Sequence, residues 1–219
     1  MSQNAIWEFP TMAHLTCVGQ KAEEVLNIVD EYADTGLENI LALRGDGEER
    51  GGFAHAIDLA VFIKDRHPAM SVGVAAHPEV HPDSASRAED RRHLAAKLGV
   101  ADFAITQFFF NPDDYRRLVE ELDELGCRKP VIPGIMLFAS AAGLRNMAGM
   151  NNTTLPEALT EQLDTLDKPA DVSKLAVETA AELIDDLSAD EVPGLHIYTL
   201  NRSQPALDLK NLLTEAPSI

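Results

Sequence analysis

The sequence predicts an α/β protein of the barrel type, with its chemistry on polar residues at the C-terminal ends of parallel strands. Three observations predict this. Short apolar, β-branched runs alternate with longer helical patterns. The first five run centres recur about every 30 residues, the size of one βαβ unit. Nearly every run also ends in a polar or charged cluster, where parallel α/β folds build their sites.

The strands are expected at Met12–Val18, Asn39–Leu43, Ser71–Ala76, Phe103–Phe108, Val131–Ile135 and Leu195–Thr199. Helices are expected between them, most clearly at Ala22–Asp34, Ala54–Arg66, Ser86–Leu98 and Pro112–Leu125. Asn111-Pro112-Asp113-Asp114 supplies a cap residue, a first-turn proline and acids at the positive end of the helix dipole. Thr154-Leu155-Pro156-Glu157 has capping-box spacing. The long gap before the last strand fits helices near Ala139–Met150, Leu155–Leu163 and Val172–Leu187. In the last of these, Val172, Leu175, Ala176, Leu183, Ile184 and Leu187 share a face. No low-complexity stretch marks a linker, so residues 1–219 are expected to form one domain. Six strands are too few for a closed eight-stranded barrel. Either the sheet is open or two βα units are missing, and the expected place for the loss is the N-terminus.

The chain has 36 acidic and 18 basic residues, a formal charge of −18. Such a surface repels nucleic acid and anionic membranes, so neither is an expected partner. No run approaches the roughly 20 apolar residues of a membrane span, and Met1–Pro10 lacks the pattern of a signal peptide. A cytoplasmic location is expected. The two cysteines, Cys17 and Cys127, read as free thiols.

The strand ends carry His14 and Thr16, then Arg44-Gly45-Asp46, His77-Pro78-Glu79-Val80-His81, Gln107, Pro133-Gly134, and Tyr198 with Asn201 and Arg202. Arg44 could hold a phosphate and Asp46 could support developing positive charge, although the trio alone reads as a turn with a surface ion pair. The two histidines of the third cluster lack the helical spacing of a zinc site, and prolines break any helix there. No metal is expected; His81 instead suits contact with an anionic cofactor. The segment Arg87 to Lys97 is unusually basic, either a solvated face or a diphosphate site at its N-terminal end. Gln107, followed by three phenylalanines, could bond the edge of a planar heterocycle. Glycine-rich phosphate loops and the Gly-x-Ser-x-Gly elbow are absent, which argues against nucleotide hydrolases, simple dehydrogenases and esterases.

Taken together, Ala13-His14-Leu15-Thr16-Cys17, Leu43-Arg44-Gly45-Asp46, Pro78-Glu79-Val80-His81-Pro82, Ile105-Thr106-Gln107-Phe108-Phe109-Phe110, Pro133-Gly134-Ile135-Met136 and Tyr198-Thr199-Leu200-Asn201-Arg202 resemble methylenetetrahydrofolate reductase. The resemblance runs in order over roughly residues 11 to 213. It implies a TIM-type (β/α)8 barrel, here incomplete with six parallel strands and extra helices before the last. It implies FAD, with NADH or NADPH as reductant, in reduction of 5,10-methylenetetrahydrofolate to 5-methyltetrahydrofolate for one-carbon metabolism and methionine supply. By position His14, Arg44, Gly45, Asp46, Ala56, His77, His81, Asp90 and Lys97 would contact FAD. Asp46 and Gln107 would be catalytic, and both would bind folate together with Arg202.

Departures from the family pattern accompany the matches. Nothing aligns with the family's Phe-Glu-Phe-Phe-Pro-like first strand, whose glutamate is a general acid; Glu8 lies just before the third-strand motif instead. His77 stands where the family has tyrosine, Ala96 where it often has a basic residue, Gly143 for a glutamine and Leu137 for a proline. These departures motivate two alternatives: a flavin-independent variant of the reaction, and a catalytically impaired folate- or flavin-binding fragment or partner subunit. Open strand edges lead to an expectation of homo-oligomers or poor solubility.

Overall fold

The computed structural model describes residues 9–45 and 52–215. Six parallel strands form one sheet in the order β1-β2-β3-β4-β5-β6. They are β1 (Met12–Thr16), β2 (Asn39–Leu43), β3 (Ser71–Ala76), β4 (Phe103–Phe108), β5 (Val131–Met136) and β6 (His196–Tyr198). The helices are α1 (Ala22–Asp34), α2 (Ala56–Arg66), α3 (Arg87–Leu98), α4 (Pro112–Glu124), α5 (Ala141–Asn151), α6 (Glu157–Asp164), α7 (Pro169–Leu187) and α8 (Ser203–Glu215). Sequence-adjacent strands are neighbours throughout, as a run of βαβ units requires. The described residues cluster into two compact units, one drawn from Met1–Ala76, Arg92–Ile105 and Leu125–Pro130, the other from His77–Arg91, Thr106–Glu124 and Val131–Ile219.

In the first unit, β1 pairs with β2 from Met12↔Asn39 to Thr16↔Leu43, and β2 pairs with β3 from Asn39↔Ser71 to Ala42↔Val74. Hydrogen bonds from Cys17 N to Leu43 O and from Val18 N to Arg44 O continue the ladder past β1, so the expected extent to Val18 is retained as pairing. Ile40, Ala42, Val72 and Val74 are fully buried, which explains why these strands read as continuous apolar runs rather than alternating ones. Val25 and Val29 of α1 and Leu59, Ala60 and Ile63 of α2 complete this core. Helix α2 starts at Ala56 rather than Ala54, because the Asp58 carboxylate accepts the His55 N–H at 3.0 Å and fixes the first turn there. Lys64 joins the Asp102 carboxylate at 2.9 Å, and Asp102 also accepts the Val72 N–H at 2.8 Å.

In the second unit, β5 pairs with β6 from Gly134↔His196 to Met136↔Tyr198. Phe108, Met136 and Phe138 pack against Leu144 and Ala148 of α5, Leu159 and Leu163 of α6, and Val172 and Ala176 of α7. The three helices expected before the last strand are therefore present, and their apolar stripes form the core. Asn111 caps α4 as expected, its side chain accepting the Asp113 N–H at 3.1 Å. The capping box read at Thr154 is overturned. Helix α6 begins at Glu157 after Pro156, and the Thr154 N–H and hydroxyl go instead to the Glu79 carboxylate at 2.7 and 2.6 Å. Helix α8, absent from the sequence expectation, follows β6 and packs on α7 with Leu209 buried. Among the described residues no helix is long and apolar enough to cross a membrane.

Candidate functional site

Parallel strands end in backbone groups that no partner strand consumes, and the loops beyond them carry the side chains of interest. In the first unit, His14 is exposed on β1 beside buried Leu15. Arg44 is exposed immediately after β2. Gly45 follows at φ +88°, and a Cβ there would lie 2.6 Å from Val18 Cγ1, so only glycine passes the chain through this point. The buried Cys17 thiol, its pKa raised by burial, reaches the Arg44 carbonyl at 3.6 Å and braces that turn. Asp46, to which the sequence assigns catalysis and both ligands, lies outside the described residues, as does Glu8. Ala56 is half-buried as the first residue of α2. Lys97, in the last turn of α3, donates to the Ala75 carbonyl at the end of β3 at 2.7 Å.

In the second unit, the loop after β3 is organised by two side chains from the start of α3. Arg91 is almost wholly buried and donates through Nη1 to the His77 carbonyl at 3.0 Å and the Asp90 carboxylate at 2.6 Å. Its Nη2 donates to the carbonyls of Pro78 at 2.7 Å and Glu79 at 3.0 Å, and Nε to Glu121 at 2.6 Å. Asp90, also buried, accepts from the His81 N–H at 3.3 Å and the Ser84 hydroxyl at 3.1 Å. The Asp83 N–H donates to His81 Nδ1 at 3.0 Å, which fixes the tautomer that carries its proton on Nε2. The His77 and His81 rings meet edge to face, 4.5 Å between centroids.

The ends of β4, β5 and β6 make the second cluster in this unit. Gln107 donates through Nε2 to Asn151 Oδ1 at 3.1 Å. Tyr198 donates its hydroxyl to the Thr106 carbonyl at 2.8 Å, and burial pushes its pKa up to about 12. The Thr106 hydroxyl accepts the Gly134 N–H at 2.8 Å. A Cβ on Gly134 would collide with the Thr106 carbonyl oxygen and come 2.6 Å from Tyr198 Cε2, so glycine sets this three-strand junction. Beyond β6, Leu200 at φ 51° and Asn201 at φ 58° form a left-handed turn closed by Arg202 N to Thr199 O at 3.0 Å. A left-handed leucine costs about 1–2 kcal/mol, strain of a kind that clusters at functional sites. The turn delivers Arg202, whose Nη1 is buried without a hydrogen-bond partner among the described residues. A buried guanidinium nitrogen with no acceptor is rare and fits a site for an anionic or carbonyl-bearing ligand. No group of three metal-ligating side chains occurs among the described residues.

The structure thus brings Gln107 together with Asn151, and His77 together with His81 and the Asp90–Arg91 pair. Sequence reasoning missed three contributors. Asn151 and Thr154 sit in the polar run Asn151-Asn152-Thr153-Thr154 between two apolar helices, which was the available signal. Arg91 falls on the same helical face as buried Leu94 and Leu98, a register that marks a buried charge.

A profile of the methylenetetrahydrofolate reductase family matches residues 3–213. The 5,10-methylenetetrahydrofolate reductases of Pectobacterium carotovorum and Escherichia coli are each 32% identical over 210 residues, covering 94% of this chain and 70% and 71% of their own lengths. Methylenetetrahydrofolate reductase (NADH) 1 of Arabidopsis thaliana is 32% identical over 91% of this chain, which spans 37% of that longer protein. Among solved structures, an uncharacterised Clostridium thermocellum protein that binds two copies of 5-methyl-5,6,7,8-tetrahydrofolic acid superposes with a TM-score of 0.68. It is 13% identical and covers 95% of this chain and 74% of its own, so it shares the fold. The chain belongs to the methylenetetrahydrofolate reductase family.

Proposed function

We propose that this chain reduces 5,10-methylenetetrahydrofolate to 5-methyltetrahydrofolate with NADH or NADPH, in one-carbon metabolism and methionine supply. The observation that carries the reading to this site is Arg202, a half-buried cation whose Nη1 is buried with no partner among the described residues, at the end of the family's Thr-Leu-Asn-Arg element. Its guanidinium is the group that binds folate. Gln107 bonds the edge of the pterin or of the nicotinamide. Asp46 is the carboxylate that favours the cationic iminium form of the substrate, by the same electrostatic logic that stabilises any developing charge in a dry site.

FAD is the cofactor of this proposal, supplying a ring that accepts hydride from the nicotinamide and passes it on. The donor chemistry of each unit suits such a group: cationic Arg44 and Lys97 in the first, and the Nε2–H of His81 in the second, are of the kind a diphosphate takes, in a chain whose net charge of −18 otherwise repels anions. His14, Gly45, Ala56 and His77 complete the contacts. Asp90, with both carboxylate oxygens already bonded, holds the His81 loop in shape. The free thiols Cys17 and Cys127 agree with a cytoplasmic location. Self-association belongs to the same proposal, and light scattering reads it directly.

The purified protein is expected to be yellow, to be bleached by NADH or NADPH without oxygen, and to regain its colour on adding methylenetetrahydrofolate. A colourless protein that still oxidises the nicotinamide with that substrate would establish the flavin-independent variant. Folate binding in a calorimeter with no turnover would establish a binding fragment or partner subunit instead.

A further inference from the structure

We propose that Asn151 is a positioning residue: it fixes the amide of Gln107 in one orientation, with the carbonyl oxygen held as the acceptor for the ligand. The inference rests on the folate reading for its consequence but not for its geometry. A chain of obligatory donors and acceptors starts at the Met147 carbonyl, which can only accept. Asn151 Nδ2 lies 3.1 Å from it and must be the end that donates. That leaves Asn151 Oδ1 facing Gln107, 3.1 Å from its side-chain nitrogen, so Gln107 must donate there. Gln107 Oε1 is then the remaining acceptor, with no protein partner among the described residues. Held toward the ligand, Oε1 takes an N–H such as that of a lactam or an exocyclic amino group, with the second Nε2 proton left beside it.

The last turn of α5 is held still enough to impose this order. Its continuation is fastened to the end of β4 through the Thr153 hydroxyl and the Phe108 carbonyl at 3.4 Å. It is fastened a second time by the two bonds from Thr154 to Glu79. Asn152, left-handed at φ 55°, turns the chain between Asn151 and these anchors. A free glutamine amide rotates between two nearly equivalent orientations, whereas this one has a single orientation compatible with the bonds of Asn151.

The test uses the whole chain, labelled with 15N-glutamine, and four variants, one of them double. In the free protein, one Gln107 amide proton is expected downfield and slow to exchange, and Asn151→Ala abolishes that signature. Asn151→Asp keeps an oxygen toward Gln107 and restores it. In turnover, Asn151→Ala is expected to raise KM for methylenetetrahydrofolate about fivefold with kcat within about twofold, the equivalent of one neutral hydrogen bond. In a Gln107→Ala background, Asn151→Ala is expected to change KM no further, because its effect passes through Gln107. An unchanged Gln107 amide signal in Asn151→Ala, or an equal KM rise in both backgrounds, overturns the proposal. A chain that neither binds folate nor turns over would defeat the proposed function, while the amide signal would still decide the geometry.

Discussion

Among single residues, Arg202 makes the sharpest prediction. Arg202→Leu removes a buried donor that has no acceptor among the described residues, so folding is expected to lose little and, on the proposed folate role, binding to lose an anchor. Affinity for 5-methyltetrahydrofolate, measured by calorimetry, is expected to fall about tenfold or more, as for a hydrogen bond from a charged group. Equal affinity with a lower Tm would make Arg202 a structural residue. Titration at other positions gives a pH profile with a defined sign. Bonds from Arg66 and His67 hold the Asp30 carboxyl down to about 2. That contribution to stability is present above the unfolded carboxyl pKa and is lost as pH falls from about 4 toward 2. Burial raises Tyr115 and Tyr198 to about 12 from about 10, so their contribution is complete below pH 10 and lost as pH rises through 12. Urea midpoints across pH are expected to fall at both ends, and Asp30→Asn is expected to flatten the acid limb alone.

At the scale of elements, the junction of β4, β5 and β6 depends on one missing methyl group. Gly134→Ala is expected to lower stability by about 1–3 kcal/mol, the usual range for overpacking, read as a shift in the urea midpoint. A variant as stable as the parent would mean that Tyr198 has room to withdraw. The legibility of the sequence divides along similar lines. Strands buried on both faces and helices with a strong apolar stripe were readable, because burial imposes a period that propensity alone does not. The Asn111 cap was readable because its partner lies two residues away. Thr154 was misread for the converse reason: its partner Glu79 is 75 residues away, and a local capping pattern concealed a long-range bond. Helix α8 went unread because its leucines at 207, 209, 212 and 213 do not fall on one clean stripe. Of the site, the residue types at strand ends were legible; the amide order of Gln107 was not, since it depends on Asn151, 44 residues away.

For the whole molecule, a net charge of −18 on 219 residues means that folding compresses like charges. Added sodium chloride is expected to raise Tm between roughly 10 mM and 1 M, as the Debye length shortens from about 30 to 3 Å. A Tm that falls with salt would show that the ion pairs, such as Lys64–Asp102 and Arg116–Asp190, outweigh the general repulsion. The same charge bears on the proposed ligands, because any anionic group would have to be met by local cations against an unfavourable background field.

The grip of Arg91 on the loop after β3 carries a consequence for exchange with solvent. A guanidinium has five N–H donors, and the five acceptors here account for all of them. Lysine, with the same charge but at most three donors, would leave at least two of those acceptors to water. Wetting the underside of residues 77–79 would quicken deuterium uptake there and let both histidine rings wander, though not one charge on the protein had changed.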